Sequence, residues 1–265
     1  MISIVLLLAP AVLVAADPPA ESTAAPPAEK AADLLDDYSL VWFDDFEGDS
    51  LDTDKWRYRT GPRLGSVQCP ENVSIADGKL RIALKKERSG DLNHTAGGVI
   101  SKKALRYGYY EARFKMPRDR GWHSSFFLCI SPTPAIPILR EIDICEQNSG
   151  FLHYTVNAHE IVVQGTDKSL RSIGVIRNGT RTFRRVPTPD LSADFHTWGA
   201  EFTPEHVKFF FDGSLVSTAD MTDMKHGDFN IWLTSVARRT VDDSNLPAYM
   251  LFDWVRYYRK RTDTK

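Results

Sequence analysis

The sequence predicts an all-β protein built as an antiparallel β-sandwich, and three observations carry that expectation. Short segments alternate apolar and polar residues with period two, which is the strand signature. Turn residues punctuate them, with 16 Gly and 15 Pro among 265 residues. Neither a long amphipathic helix nor a strand–helix alternation is visible, which argues against a parallel α/β sheet. At 42% hydrophobic and 26% charged, the chain has the balance of a globular protein rather than a disordered one. A net charge of −2 supplies no field to draw nucleic acid or an anionic membrane surface, so neither is expected as a partner.

Taken in order, residues 1–16 (MISIVLLLAPAVLVAA) read as a signal peptide. The apolar run is shorter than the roughly 20 residues a membrane span needs. Val14 and Ala16 supply the small residues before a cleavage point. The expected location is therefore secreted or periplasmic. Residues 17–37 begin rich in Ala, Pro and Glu and read as a tether outside the fold. Three cysteines, Cys69, Cys129 and Cys145, are an odd number without metal-site spacing, and the expectation is buried free thiols.

Residues 38–261 read as one domain. In Lys79-Leu-Arg-Ile-Ala-Leu-Lys, Leu80, Ile82 and Leu84 share a face. An Asp77-Gly78 turn precedes this strand, and Asp212-Gly213 marks a hairpin between two apolar runs. Tyr109–Met116 is a further strand, closed by Pro117, and Met250–Tyr258 is the last.

The chemical signal is Arg140-Glu-Ile-Asp-Ile-Cys-Glu146, three carboxylates within six residues of a β-rich segment. On a regular strand Glu141 and Asp143 share a face, while Glu146, five positions from Glu141, falls on the other. One β-bulge between Asp143 and Glu146 restores the phase and brings all three acids together. Such crowding costs stability through like-charge repulsion, which points to a functional motive; an acidic solvent-facing strand is the alternative.

Glu-Ile-Asp-Ile-Cys-Glu resembles the catalytic signature of glycoside hydrolase family 16 in its bulged form. Five other blocks, in order, extend the resemblance. They are Val41-Trp-Phe-Asp-Asp-Phe-Glu-Gly with Leu51, Asp52 and Trp56; Asn72-Val with Asp77-Gly-Lys-Leu-Arg-Ile; and Gly97-Gly-Val-Ile-Ser-Lys with Tyr107–Lys115. The later two are Phe195-His-Thr-Trp-Gly-Ala-Glu-Phe-Thr-Pro with Phe211-Asp-Gly, and Phe252-Asp-Trp-Val-Arg-Tyr-Tyr. The resemblance implies a concanavalin A-like jelly roll of two antiparallel sheets with a carbohydrate cleft across one of them.

It also implies a retaining endo-hydrolase of a β-linked polysaccharide, with Glu141 as nucleophile, Glu146 as general acid/base and Asp143 steering their protonation. Nearby negative charge is expected to raise the pKa of Glu146 so that it holds its proton. Trp122 is expected in the cleft, stacking on sugar. The sequence departs from the family's usual Trp-Pro-Ala-Phe-Trp, reading Trp122-His-Ser-Ser-Phe-Phe127, so Phe127 replaces a second cleft Trp. A β-1,3-glucan is the first choice of substrate, and this departure keeps an algal galactan close behind. His159 and His153 follow the catalytic strand, where the family often carries a cleft His. Arg113 and Arg140 either bind anionic sugar or pair with local acids.

No cofactor for catalysis is implied. A structural calcium ion is, with Asp253 as ligand and the Gly78 carbonyl as partner. The expected partner is a polysaccharide and the expected state a monomer. A non-catalytic carbohydrate-binding sandwich, or a transglycosylase using the same covalent intermediate, are the alternatives.

Overall fold

The computed structural model describes residues 29–130, 138–163, 170–173, 184–222, 227–238 and 240–262. The expected signal peptide and the tether up to residue 28 lie outside the described residues. A short helix α1 (Ala31–Leu35) leads into β1 (Tyr38–Asp44), β2 (Trp56–Tyr58), β3 (Gly61–Arg63), β4 (Ser66–Gln68), β5 (Val73–Ala76) and β6 (Lys79–Ser89). Then come β7 (Leu92–Ala96), β8 (Gly98–Ser101), β9 (Gly108–Lys115), β10 (Trp122–Ile130), β11 (Ile138–Asn148), β12 (His153–Val163) and β13 (Leu170–Ile173). The chain continues through β14 (Arg184–Pro187), β15 (His196–Phe202), β16 (His206–Phe211), β17 (Ser214–Asp220), β18 (Asn230–Ala237) and β19 (Ala248–Lys260).

These strands form two sheets, the jelly-roll sandwich that the sequence predicts. One runs β17-β16-β15-β9-β19-β6-β7-β4-β3, with β1 on β19 and β5 on β6. The other runs β13-β12-β11-β10-β18-β8-β2, with β14 on β12. The pairings are antiparallel except that β4 runs parallel to β7. Both Asp-Gly pairs make the expected two-residue hairpins. Asp77 and Gly78 have φ of 54° and 63°, and Asp212 and Gly213 have 45° and 74°. Two successive positive φ values match the right-handed twist of the flanking strands, which is why Asp-Gly suits these positions.

The core lies between the sheets. Leu80, Ile82 and Leu84 are fully buried, as their alternation requires. Phe114 of β9 stacks on Trp198 of β15 at 3.9 Å and meets Phe126 of the opposing sheet edge-on at 6.3 Å. In the opening block, the buried Asp44 accepts a hydrogen bond from Trp56 Nε1 at 2.7 Å and another from the Phe46 amide at 2.9 Å. That pair of bonds satisfies a buried carboxylate and fixes the first strand to β2.

Residues 29–37 depart from the tether reading, because they dock. The Ala31 amide donates to Gly213 O, the Leu215 amide donates to Glu29 O, and Lys208 pairs with Glu29 at 2.7 Å. Ala31 is buried with Tyr38, Tyr109 and Phe210, and Leu34 and Leu35 pack against that cluster. The physical reason is apolar area: the residues after Lys30 are Ala, Ala, Leu and Leu around one Asp, and the first sheet offers aromatic surface to cover.

Candidate active site

The site is built on β11. Against β10, Phe126 pairs with Cys145 and Phe127 with Asp143, so Ile144 is the extra residue. Against β12, Asp143 pairs with Asn157 and Glu146 with Thr155. This is the bulge the carboxylate spacing demands. It leaves Ile142, Ile144 and Cys145 fully buried in the core and turns Glu141, Asp143 and Glu146 to the opposite, open face. Glu141 and Glu146 retain side-chain exposures of 20% and 27%, whereas Asp143 sits at 1% on the floor between them.

Strand β12 supplies His159, opposite Glu141. Its Nε2 lies 3.3 Å from Glu141 Oε1 and its Nδ1 lies 3.5 Å from Asp143 Oδ2. The Asn157 amide nitrogen is 2.8 Å from Nδ1. With that amide donating to Nδ1, Nε2 carries the hydrogen and points at the nucleophile candidate. His153 is on the same face of β12 by period two, and its ring lies 5.4 Å from that of Phe151. Cys129 of β10 also pairs in register with Glu141, and its thiol is a hydrogen-bond partner of that carboxylate. Burial first, then the Glu141 charge, pushes this thiol far above its ordinary range, so it stays protonated. The described cysteines are free, and Cys69 alone of the three is part-exposed.

Burial drives the Asp143 carboxyl well above the ordinary carboxylate range, helped by the charges of Glu146 and Glu141. Glu146 goes the other way. Burial pushes it up, but a hydrogen bond from His123, then the charges of His123, His159 and Arg238, outweigh burial and hold it below the ordinary range. The expectation that negative neighbours raise Glu146 is therefore corrected for the free protein. The missing quantity was His123, whose Nε2 lies 3.0 Å from Glu146 Oε1.

Two of the residues expected at the substrate lie elsewhere. Trp122 is fully buried in the core, edge-on to His94 at 5.8 Å. Strand β10 runs against β18 without a register shift from Trp122 to Cys129. Period two then puts Trp122 and Phe127, five apart, on opposite faces, and only His123, Ser125, Phe127 and Cys129 join the carboxylates. Arg113 belongs to β9 of the other sheet, where its guanidinium pairs with Asp253 and covers the Phe195 ring at 4.9 Å. Arg140 is buried.

The calcium expectation does not fit these residues. One oxygen of Asp253 takes Arg113, and the other lies 3.5 Å from Lys79 Nζ. A hard cation needs several oxygens free of competing cations, and this carboxylate is already shared between two.

Phe127 lies on the site face as expected, and it leads to residues the sequence reading missed. Its ring stacks on Trp232 of β18 at 5.4 Å. Arg59 and Arg57, from the β2 edge, lie over the Trp232 ring at 5.2 and 6.0 Å. Burial lowers Arg59 to about 10, which leaves it cationic at neutral pH. On the other side of Glu146, Arg238 donates to Asn148 Oδ1 at 3.0 Å. A cavity of about 1240 Å³ opens there, lined by Leu64, Arg120, Asn148, Phe151 and Arg238 among others. Parity along β10 could have identified His123. Nothing in the sequence pairs Trp232 with Phe127, because their contact is made across two strands far apart in the chain.

A family model described as "Beta-porphyranase A-D, GH16 domain" matches residues 41–260. A Beta-glucanase of Acetivibrio thermocellus is 30% identical over 187 residues, 71% of this chain and 51% of that protein. This chain thus spans about half the length of that relative. A Beta-glucanase of Rhodothermus marinus is 28% identical over 263 residues, covering 86% of this chain and 87% of that one. Among solved structures, the kappa-carrageenase of Pseudoalteromonas carrageenovora, in complex with an oligotetrasaccharide of kappa-carrageenan, superposes with a TM-score of 0.72. It is 23% identical and covers 91% of this chain and 100% of that one, a likeness of fold. The bulged strand with its three carboxylates and the match over residues 41–260 lead to one conclusion: this chain belongs to glycoside hydrolase family 16.

Proposed function

We propose that this chain is an exported, retaining endo-hydrolase of a β-linked galactan that carries anionic groups, with porphyran as its type. The observation that carries the hydrolase reading is the bulge, which sets Glu141 and Glu146 on one open face with Asp143 between them. Glu141, held by His159 and the Cys129 thiol, attacks the anomeric carbon. Glu146 in its protonated form, the minor one in the free protein, gives its proton to the departing oxygen and becomes a carboxylate. The covalent glycosyl ester is then hydrolysed by a water that Glu146 deprotonates, so the anomeric configuration is retained. Asp143, neutral through burial, offers a hydrogen bond to Glu141 without adding a third charge.

The family match supports the galactan over a β-1,3-glucan. So does the cleft floor: Arg57 and Arg59 over Trp232 provide an apolar platform edged by fixed positive charge. Guanidinium groups bind tetrahedral oxyanions through paired N–H donors, which a neutral glucan does not use. The localisation rests on residues 1–16. The test is product analysis on porphyran, agarose, κ-carrageenan, laminarin and mixed-linkage glucan. Internal cleavage of a sulfated galactan, with the β-anomer released first, is expected. Cleavage of laminarin alone would move the substrate to a glucan. Release of single sugars from chain ends, or an inverted anomer, would overturn the endo or the retaining claim. Longer products at high oligosaccharide concentration would mark a transglycosylase.

A further inference from the structure

The hydrolase reading asks Glu146 to offer one oxygen to the leaving group and to keep the other occupied. The structure contains a device for this in a stretch where the sequence leaves the family's usual pattern. Arg238 has only donors, so the atom it meets at 3.0 Å on the Asn148 amide is the oxygen. That oxygen cannot donate. His123 Nδ1, 3.1 Å from it, therefore carries a hydrogen in both charge states of the ring. Nε2 is left as the nitrogen that gains and loses a proton, and it lies 3.0 Å from Glu146 Oε1.

We propose that His123 is a positioning residue for the acid/base: anchored by Arg238 through Asn148, it holds Oε1 of Glu146, so that Oε2 is the oxygen turned to the glycosidic bond. The proposal rests on the reading of Glu146 as acid/base. As an imidazolium, His123 donates to Oε1, and a proton on the carboxyl then resides on Oε2, facing substrate. As a neutral ring, its Nε2 accepts the carboxyl proton from Oε1 and turns the acid inward. Once Glu141 is esterified, the same contact keeps Oε2 free for water.

The surroundings decide which charge state prevails. Facing the pair from β11 are Glu141 and the protonated Asp143, from β12 His159, and from the chain after β18 Arg238. The register partner of His123 on β18 is Val236, which is uncharged. Ser125 is the neighbour on the same face of β10, also uncharged. Burial opposes the charged form of Glu146, and the cationic side, His123 foremost, outweighs it.

The experiment compares wild type with His123→Leu and His123→Gln. The Leu variant removes a cation and a donor. The alkaline limb of its kcat/KM profile should move to higher pH, because the Glu146 carboxylate loses its main support. Its kcat on polysaccharide should fall about tenfold or more, as a misplaced acid implies, with far less loss on an aryl glycoside whose leaving group needs no proton. The Gln variant returns a neutral donor to Oε1. It should recover most of the kcat while keeping the shifted limb. Equal losses on both substrates with an unchanged pH profile would overturn the proposal. A measurement on unmutated protein stands beside these variants should either fail to fold. In a long-range proton–nitrogen spectrum of histidine-labelled protein, Nδ1 of His123 should stay protonated while Nε2 titrates. A neutral ring protonated at Nε2 would overturn the clamp. That spectrum is read whether or not the protein cleaves any glycan, so failure of the functional reading and failure of the clamp are distinguishable.

Discussion

The Phe127 ring stacks on the Trp232 indole, centroids 5.4 Å apart and planes 26° from parallel, across the β10–β18 pairing that faces the carboxylates. Trp232 Nε1 is shielded from solvent and meets no acceptor among the described residues, so the part-exposed ring offers a sugar its apolar surface rather than a hydrogen bond. Trp232→Phe is expected to raise KM for polysaccharide about tenfold with kcat little changed, the pattern of lost uniform binding. Arg59→Ala should raise KM for a sulfated galactan and flatten its dependence on salt, with no such effect on a neutral oligosaccharide. Steady-state kinetics at two ionic strengths decide it. A collapse of kcat with constant KM would remove Trp232 and Arg59 from substrate binding.

Trp122 and Trp232 should behave as opposites. Trp122 is fully buried between the sheets, so Trp122→Ala is expected to cost about 3–5 kcal/mol of stability, read by denaturant unfolding. Trp122→Phe should keep KM near wild type. A raised KM in the Phe variant with an unchanged unfolding midpoint would return Trp122 to the cleft.

The two acids should separate by substitution. Glu141→Gln removes the nucleophile and should abolish turnover of every glycoside. Glu146→Ala should lower polysaccharide hydrolysis by about 10²–10⁴, the usual worth of acid–base help. On a substrate with a good leaving group the covalent adduct should accumulate in that variant, visible by mass spectrometry. Azide should rescue it and yield the β-glycosyl azide, since two inversions retain configuration. An α-azide, or no rescue in either variant, would exchange or cancel the assigned roles.

Glu111, on β9 of the first sheet, is buried, and burial raises it from 4.5 to about 7 despite the Tyr109 hydroxyl that donates to it at 3.2 Å. A carboxyl whose pKa is raised on folding supports the fold below its unfolded pKa. That support is lost as pH rises through the folded value, because the unfolded chain releases the proton first. Wild-type stability should therefore lose ground relative to Glu111→Gln between about pH 4.5 and 7. Thermal melts across pH 4–9 check this; parallel curves for the two proteins would refute it.

The N-terminal segment gives a boundary test. Glu29, Ala31, Leu34 and Leu35 are tied to β16, β17 and the Tyr109–Phe210 cluster. Limited proteolysis is expected to cut before residue 29 and leave residues 29–37 attached to the domain. Deleting residues 1–37 should cost about 1–3 kcal/mol, the worth of one or two buried aliphatic side chains. A truncated protein melting with the full chain would mean that the segment contributes nothing.

The sequence by itself determined the sandwich, the hairpins and the catalytic strand. Local rules suffice there. Leu80, Ile82 and Leu84 alternate with period two, Asp77-Gly78 and Asp212-Gly213 accept positive φ, and the acid spacing from 141 to 146 admits one common face only through a bulge. His159 came from the family resemblance, which places a cleft His after the catalytic strand, and its pairing with Glu141 came only from the β11–β12 register. Tertiary structure decided what period two leaves open, namely which of two faces meets solvent. Trp122 and Arg113 sit on strands with aromatic or charged residues on both sides, and only the packing of one sheet on the other puts Trp122 in the core and Arg113 on Asp253. It also decided charge. His123 stands 23 residues from Glu146 in the chain and 3.0 Å from it in space, and at that range its hydrogen bond and charge, together with the charges of His159 and Arg238, outweigh burial. Coulomb energy depends on distances that a linear sequence does not contain.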